Sequence, residues 1–592
     1  MSKNSFKLNN KLDHRVDSTE LVSALLADLE PYLSSTDMSE LSKLTILRKW
    51  DEALDYAGLL LAERPAISYS RFVALRQFEA FLKKNVSLEG GRSSSLRKAE
   101  TLSLFLSDDE ECGRTNVRFL EYLENPLTFA GEMVVEAVHT ARQISSEILG
   151  EIRPSDYSSM LKNASFGPGL TFDSTDPSHR HLVYKVGGRM SVTKRALPYA
   201  RHLFLHFPRW ACALREDGAR VDVVRGNRVT TVPKTAQVDR AIAIEPSINI
   251  FLQKGVDNLM RNRLLRYGCD LRDQSRNQDL AREASIDGSL STVDLSSASD
   301  TISREIVRFF LPSDWYALCD DIRSHEYTID GENWSEYQKF SSMGNATTFP
   351  IESLIFYSVA LAVTRLTGGP EEKVSVYGDD IIIPRNGTLL LFEVLSHLGF
   401  RPNTQKSFAL HEFRESCGED FINGVQTRPV YISKLPKSVP EVYNLFNRLL
   451  NNRCGLPLCN VLRYLYTRIN RPDFGPRYLG AGDEWTSWEP FRAMEFSQYF
   501  MVPSWHPTVE RLSAYHVDWQ ERVWRIRSLN PVNPPLKGRF SDNALYSFFL
   551  LGGRGDPKDP TRIRWTRKRR TITRWPDDGY WPMFLQPGVT PG

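Results

Sequence analysis

The sequence predicts an α+β fold with helical flanks, and three observations support that class. Residues 1–150 place apolar side chains at three- and four-residue spacing, for example in 21–33 and 66–81, which indicates helices. Between about 220 and 435, short β-rich runs alternate with helical patterns. After Pro436 the pattern becomes helical again, and the chain then grows rich in Trp, Pro and Arg.

The composition is typical of a large globular protein. With 592 residues, of which 41% are hydrophobic and 25% charged, the chain can form three or four domain-sized units. Its seven scattered cysteines lack paired zinc-ligand spacing, which favours reduced thiols. The polar N-terminus lacks the apolar core of a signal peptide, and no apolar run reaches the roughly 18 residues of a membrane span. We therefore expect a cytosolic protein that does not enter a membrane.

The first β-rich region contains the runs VDVV, VTTVP and AIAIEP, and a helix is expected to follow from Ser247 to about Tyr267. Lys234 and Arg240 stand on either side of an expected bend between the second and third runs. Two such cations could bind phosphates through charge-assisted hydrogen bonds. Considered alone, they are explained more simply as solvated surface charges.

A β-prone run ends at Asp294, and the Ser-rich segment after it is expected to cap a helix that begins near Ser299. One face of that helix would carry Ile302, Ile306, Phe309 and Phe310. Asp300 could then be an ordinary first-turn residue, favoured by the helix dipole. Asp294 is harder to explain, because an ionised carboxylate within an apolar strand needs a partner, and a divalent cation would serve.

The segment SSMGNATTF, at 341–349, predicts a small polar turn before an apolar helix. Gly344 would let the backbone approach a nucleotide, and Ser342 or Asn345 could form a hydrogen bond with a ribose hydroxyl. A flexible loop that only caps a buried helix explains the same residues equally well.

In VSVYGDDIII, at 374–383, two apolar β-rich runs flank Gly378 and Asp379, which is the pattern of a tight hairpin. Alone, Asp379 and Asp380 could belong to a solvent-exposed turn. Together with Asp294 they supply three carboxylates from two neighbouring strands. Such a set is the minimal oxygen site for two Mg²⁺ ions in nucleotidyl transfer, and Mn²⁺ accepts the same ligands.

Seven segments now form an ordered set: TVPKTAQVDRAIAIEP, DQSRNQ, TVDLSSASDTIS, SSMGNATTF, VYGDDIII, NTQKSF and FRESCG. This set resembles the replicase β subunit of the single-stranded RNA bacteriophages, the Q-beta-like replicases of leviviruses. The resemblance runs through about 225–435. It implies an RNA-directed RNA polymerase, a nucleotidyltransferase shaped as a right hand of fingers, palm and thumb, with an antiparallel sheet and helices in the palm.

The resemblance also implies a division of the chain into domains. We expect an N-terminal extension and fingers in 1–285, followed by a palm in 286–435. A short finger insertion is expected within the palm at about 318–340. The thumb and a basic C-terminal extension would occupy 436–592.

Position by position, the resemblance makes Asp294, Asp379 and Asp380 the metal ligands of the palm. Lys406, in NTQKSF, falls where related polymerases often keep a general acid for the departing pyrophosphate. That role requires a lowered lysine pKa. Because Gln405 replaces the basic residue often found beside it, a plain electrostatic role for Lys406 is the alternative.

By the same resemblance, Lys234 and Arg240 would lie over the triphosphate, while Asp300 and Asn345 would sense the ribose 2′-hydroxyl. The family starts RNA synthesis without a primer at the 3′ end of a single-stranded template. Its members work with the host elongation factors Tu and Ts, and some with a host RNA-binding ribosomal protein. These properties imply a protein of the bacterial cytoplasm.

The stretch 561–570 is a separate candidate for RNA binding. Six of its ten residues are basic. Its side chains could follow RNA phosphates while an aromatic ring stacks on a base, although a solvated basic tail would have the same sequence. The candidate RNA-binding residues are Arg562, Arg564, Trp565, Arg567, Lys568, Arg569 and Arg570.

Three other classes of protein remain as alternatives. A reverse transcriptase also carries a carboxylate pair after Tyr, but Gly378 and the ribose-sensing candidates Asp300 and Asn345 argue against it. A nucleotide cyclase has a similar palm with shorter catalytic segments. A non-catalytic RNA-binding protein would explain the basic C-terminus, but it gives no purpose to aspartates in apolar strands.

Overall fold

The computed structural model describes residues 12, 14–62, 68–174, 185–186, 189–216, 220–450, 452–468, 512–518, 523–532 and 564–572. Over these residues the fold is mixed α+β, as the sequence predicts. The N-terminal part is helical, also as predicted. Its helices are α1 (Ser18–Leu29), α2 (Ser35–Ile46), α3 (Trp50–Ala62), α4 (Tyr69–Lys83), α5 (Ser94–Glu124), α6 (Pro126–Phe129), α7 (Glu132–Leu149) and α8 (Pro154–Asn163).

The second part contains the strands expected near 220–245 and the helix expected from Ser247. Its elements are β1 (Arg189–Thr193), α9 (Leu197–His206), α10 (Pro208–Glu216), β2 (Arg220–Val224), β3 (Asn227–Pro233), β4 (Asp239–Ile244), α11 (Ser247–Arg266) and α12 (Ser275–Asp287). Strands β3 and β4 form an antiparallel hairpin whose bend holds Lys234.

The third part alternates short strands with helices. Its elements are β5 (Leu290–Val293), β6 (Leu295–Ser296), α13 (Arg304–Phe310), α14 (Ser313–Ile322), β7 (Glu326–Thr328), β8 (Trp334–Glu336), α15 (Thr348–Leu366), β9 (Ser375–Tyr377), β10 (Asp380–Pro384), α16 (Thr388–His397), β11 (Arg401–Pro402), β12 (Phe413–Ser416), β13 (Glu419–Ile422) and β14 (Val425–Gln426). Strand β10 lies between β5 and β9, whereas β7 and β8 extend the β3–β4 hairpin into a four-stranded sheet.

Helices α17 (Val439–Leu450) and α18 (Cys459–Tyr466) follow, and the last elements are β15 (Leu512–Asp518), β16 (Val523–Val532) and β17 (Arg564–Ile572). Buried residues of α17 and α18 share one core with those of α1–α4. The carboxylate of Asp28 on α1 accepts hydrogen bonds from the backbone amides of Asn460, at 2.8 Å, and Val461, at 3.0 Å, and so caps α18. The domain borders drawn from the resemblance stay a prediction.

Two expectations from the sequence are wrong in detail. The helix expected near Ser299 begins at Arg304, because Ser297 adopts a positive φ of 55° and leads into a single 3₁₀ turn, Ala298–Asp300. An apolar helix long enough for a membrane span also exists, since α15 has 19 residues and a mean hydropathy of 1.4. In the fold α15 is a core helix, with 83% of its apolar window buried.

Candidate active site

The predicted hairpin forms from β9 and β10, with Gly378 and Asp379 as its two-residue turn. Asp380 pairs with Tyr377 across the turn. Gly378 adopts a φ of 64°, as expected for glycine at the first position of a tight hairpin turn. A Cβ at this position would lie 2.6 Å from Cε2 of Phe349, so both the backbone conformation and the packing require glycine. The turn therefore holds the two carboxylates at a fixed edge of the sheet.

Asp294 meets this hairpin from the neighbouring strand. The antiparallel register pairs Val293 with Ile381, and one further residue along each strand places Asp294 opposite Asp380. The backbone amide of Asp294 donates to Oγ of Ser407 at 3.2 Å, and Nδ2 of Asn403 donates to its carboxylate at 3.1 Å. The structure thus brings together the aspartates of two motifs that are some 80 residues apart.

Burial and mutual repulsion shape the electrostatics of these carboxylates. Burial, followed by the charge of Asp379, raises the pKa of Asp380 to about 7. The backbone amide of Cys417, which donates to Asp380 at 3.1 Å, compensates only in part. Burial also raises the pKa of Asp294, and Asp379 raises it further against the opposing effect of Lys406. The site therefore contains half-buried negative charge that a cation would stabilise.

The donor atoms suit Mg²⁺, because carboxylate oxygens are the ligands that it prefers and the pKa shifts show a demand for positive charge. Among the residues that the structure describes, however, no three Asp, Glu, His or Cys side chains are grouped closely enough to hold a metal ion as they stand. Repulsion between the carboxylates opposes such a grouping, and Asp294 is turned toward Lys406 and Asn403.

Lys406 lies beside the carboxylates, but its pKa is not lowered in the way that a proton donor requires. Its Nζ lies 3.5 Å from the carboxylate of Asp294. Burial alone would lower the pKa of Lys406, whereas Asp294, followed by Glu415 and Asp379, outweighs burial and raises it. The structure thus favours the electrostatic alternative for this residue.

The two cations of the β3–β4 hairpin face the same region. Desolvation, followed by the charges of Arg240 and Lys406, lowers the pKa of Lys234, although the residue is exposed to solvent. The influence of Asp379 and Asp294 on the same pKa shows that Lys234 lies near the carboxylates. Arg240, on β4, is exposed.

Asp300 is fixed by a residue that the sequence analysis missed. Nζ of Lys339 lies 3.0 Å from Oδ1 of Asp300 and 3.7 Å from the ring centroid of Phe105. The Lys339 side chain is fully buried. No sequence signal marked Lys339, because it stands in a polar stretch without a recognisable pattern. Its ion pair orients Asp300 in the 3₁₀ turn that precedes α13.

The 341–345 loop packs tightly against the β3–β4 hairpin. Gly344 has a φ of 113°, and a Cβ there would lie 2.1 Å from the carbonyl oxygen of Ala243. The packing of this loop against β4 therefore requires glycine at position 344, whether or not the glycine also lets a nucleotide approach. Ser342 is buried, as is Asn345, whose Oδ1 accepts hydrogen bonds from both the backbone amide and the hydroxyl of Thr347. Nδ2 of Asn345 is buried and has no hydrogen-bond partner among the described residues.

Glu352, on α15, is a second residue that the sequence analysis missed, and it is acidic. Its side chain is 6% exposed, and Oε2 has no hydrogen-bond partner within the described part of the chain. Burial, followed by Asp379 and Asp300, raises its pKa well above the usual range of a carboxyl group. A single carboxylate in the apolar run IESLIFYSVALAV was the signal that could have identified it.

Six of the seven C-terminal candidates lie on the last described strand. Arg564 to Arg570 lie on β17, which pairs antiparallel with β16. Arg562 lies outside the described residues. RNA binding by this segment stays a prediction.

The architecture defines an α+β protein with an acidic site at a β-hairpin and cations facing it, and comparison with known proteins identifies its family. The profile described as "RNA replicase, beta-chain" matches residues 68–453. The chain therefore belongs to the RNA replicase beta-chain family, which confirms the resemblance seen in the motifs.

Individual relatives agree with this assignment. The chain is 40% identical over 348 residues to the RNA-directed RNA polymerase subunit beta of Enterobacteria phage SP, an alignment covering 58% of each protein. It is 37% identical over 349 residues to that of Escherichia virus Qbeta, covering 58% of this chain and 57% of the relative. The match with the beta chain of Enterobacteria phage fr is 34% over 436 residues, covering 71% and 74%. The chain thus aligns with less than two thirds of the SP and Qbeta proteins.

Among solved structures, the BmCPV RNA-dependent RNA polymerase at elongation state aligns with 56% of this chain and 33% of its own, at 12% identity and a TM-score of 0.34.

Proposed function

We propose that this chain is the catalytic subunit of a phage replicase, an RNA-directed RNA polymerase that copies a phage RNA template from ribonucleoside triphosphates. The observation that carries the proposal is the meeting of Asp294 with Asp379 and Asp380 on paired strands, beside Lys234. Family membership and relatives with this activity by name support the same function.

In this proposal Asp294, Asp379 and Asp380 hold two Mg²⁺ ions, with Mn²⁺ as a substitute. When bound, the metals would activate the attacking hydroxyl and stabilise the leaving oxygen. The protein contributes the geometry, since the β9–β10 turn and the β5–β10 register fix the positions of the three carboxylates.

The cations and polar side chains would bind the nucleotide. Lys234 and Arg240 contact the triphosphate, while Lys406 places positive charge near the departing pyrophosphate. Asp300, held by Lys339, would read the ribose 2′-hydroxyl together with Asn345. Asn345 is suited to this role because its buried Nδ2 is free of partners among the described residues.

Several finer properties belong to the proposal through the family alone. They are primer-independent initiation, action in the bacterial cytoplasm, and assembly with host elongation factors Tu and Ts, in some members with a host RNA-binding ribosomal protein. The division into fingers in 1–285, palm in 286–435 and thumb in 436–592 is likewise proposed. Pairing of β7 with β3 supports a finger insertion at about 318–340.

The proposal is tested by ribonucleotide incorporation on a C-terminated RNA template, using the full chain purified with its copurifying proteins. Asp379→Asn should abolish metal-dependent incorporation. Asp55→Asn is the matched control, because Asp55 is an exposed aspartate on α3 and should retain activity. A parallel assay with dNTPs distinguishes an RNA-directed RNA polymerase from a reverse transcriptase.

Equal incorporation by wild type and Asp379→Asn would contradict the assignment of the carboxylates. Preferential use of dNTPs would indicate a reverse transcriptase. If incorporation is absent even with elongation factors Tu and Ts added, the non-catalytic RNA-binding alternative gains support.

A further inference from the structure

Four side chains at one end of the β4–β3–β7–β8 sheet alternate arginine and aromatic groups. The Arg225 guanidinium lies 5.5 Å from the ring centroid of Trp334, and that of Arg228 lies 6.0 Å from the ring centroid of Phe172. The two rings lie 6.3 Å apart, with their planes inclined by 41°. We call these four residues the Arg–aromatic cluster.

The Arg–aromatic cluster is not part of a hydrophobic core. Phe172, Trp334 and Arg228 are each partly exposed, and the side chain of Arg225 is 60% exposed. The core of this sheet, which includes Val229 and Tyr327, lies on its other face, because neighbouring residues of a strand point in opposite directions. Packing in that core therefore does not explain why two aromatic rings stand between two arginines.

The Arg–aromatic cluster lies on the same sheet face as the proposed triphosphate contact Arg240. Arg228 pairs with Ile244 and Val232 pairs with Arg240, so alternation along β3 and β4 puts Arg228 and Arg240 on one face. Along β3, Arg228 is four residues from Val232, the partner of Arg240, which is about 13 Å at the usual rise per residue. Trp334 shares this face, because its partner Thr328 is paired with Arg228.

Both acidic side chains on β7 and β8 are already paired with arginines, while Asp330 and Glu332 lie in the turn between these two strands. Glu326 is paired with Arg225, and Glu336 is paired with Arg304 at 3.2 Å. Arg228 adds a positive charge beyond these two pairs. Aromatic rings beside guanidinium groups suit unpaired bases joined by phosphates, since bases stack on the rings while arginines contact the backbone.

We propose that the Arg–aromatic cluster binds the unpaired RNA template on its way to the catalytic carboxylates. The path of the template from the cluster to the carboxylates rests on the proposed function. RNA binding by the cluster itself can be measured without RNA synthesis. Two aromatic side chains and two arginines would hold one or two bases outside the catalytic centre.

The test measures the affinity of the full chain for a labelled, unstructured single-stranded RNA by fluorescence anisotropy without nucleotides. Trp334→Ala should weaken binding about tenfold, because one base loses its stacking partner. Trp334→Phe should retain most of the affinity. Tyr69→Ala removes an aromatic side chain that is 48% exposed on α4 and should leave affinity unchanged.

The salt dependence separates stacking from charge. Arg228→Gln should reduce the slope of log affinity against log salt by about 0.7, the contribution of one phosphate contact on a single strand. Trp334→Ala should leave that slope unchanged. If Trp334→Ala fails to fold, Phe172→Ala and Arg228→Gln decide the question by the same measurement.

Wild-type affinity in Trp334→Ala and Phe172→Ala would overturn the proposal. Loss of a copurifying protein from these variants without loss of RNA affinity would also overturn it, since the cluster would then be a protein interface. The Asp379→Asn variant separates the two proposals, because it alters the proposed catalytic site and leaves the cluster itself unchanged. Retained synthesis in that variant, with RNA binding lost in Trp334→Ala, would refute the proposed catalytic site and leave the RNA site intact.

Discussion

At the scale of single residues, the pKa of Asp380 reports how strongly the site demands positive charge. Burial and Asp379 hold the pKa of Asp380 at about 7, whereas an unfolded aspartate ionises near pH 4. Between these values the folded protein keeps a proton that the unfolded chain has lost. The contribution of Asp380 to the free energy of unfolding therefore falls as the pH rises through this interval.

This leads to a prediction for Asp380→Asn in metal-free protein. As the pH rises from about 4 to 7, the free energy of unfolding should fall less in the variant than in the wild type. The difference should be roughly 1–3 kcal/mol, because the variant has no carboxylate to ionise at position 380. Urea unfolding at several pH values measures the difference. Added Mg²⁺ should stabilise the wild type more than the variant, and parallel pH profiles without metal would contradict this account.

Single residues differ in how far the sequence could predict them. Asp294 was predictable because a charge at the end of an apolar strand is costly without a partner. Glu352 carried a similar signal within an apolar helix and was missed. Lys339 and the raised pKa of Lys406 could not be predicted, because both depend on side chains brought close only by the fold.

At the scale of elements, the β9–β10 hairpin depends on one glycine that satisfies two separate constraints. Gly378 needs a positive φ, and its missing side chain makes room for Phe349. Gly368 offers a matched comparison, because its φ of 68° is similar but an added Cβ would meet no described atom within 4 Å.

We therefore predict different effects for two Gly→Ala substitutions. Gly368→Ala should destabilise the protein by about 1 kcal/mol, the cost of the backbone conformation alone. Gly378→Ala should cost about 2–4 kcal/mol and lower RNA synthesis, since Phe349 and the turn must move. Thermal unfolding and incorporation assays measure both effects. Equal losses in the two variants would show that packing under the turn is unimportant.

Helices and strands whose apolar residues repeat with a clear period were predictable from the sequence. Elements whose positions depend on contacts with distant residues were not. The N-terminal helices, the β3–β4 hairpin and α11 follow the apolar patterns of the sequence. The start of α13 was misplaced because the 3₁₀ turn before it depends on the positive φ of Ser297. The two-residue strands β6, β11 and β14 are too short to produce a pattern.

At the scale of the whole molecule, the N-terminal helices are joined to the third part of the chain through a buried arginine. Arg76, on α4, donates to Asp420 on β13 at 2.7 Å and to Glu415 on β12 at 3.3 Å. These partners are more than 300 residues apart, so no sequence pattern could have revealed the contact. The shared core of α1–α4 with α17 and α18 was unpredictable for the same reason.

Breaking this connection should destabilise the whole protein. Arg76→Met leaves the Asp420 carboxylate buried without its main partner, so we expect a loss of about 3–5 kcal/mol in the free energy of unfolding. The double variant Arg76→Met/Asp420→Asn should recover part of that loss. Chemical denaturation of the single and double variants measures the coupling, and additive effects would refute it.

In the proposed function, two strands that are distant in sequence form one catalytic centre. Asp294→Asn tests it most directly, because Asp294 lies outside the Gly-Asp-Asp turn and acts only if β5 meets β10. We predict that this variant folds, binds RNA like the wild type, and loses at least about a hundredfold in Mg²⁺-dependent ribonucleotide incorporation. Incorporation near the wild-type rate in a correctly folded Asp294→Asn protein would contradict the account.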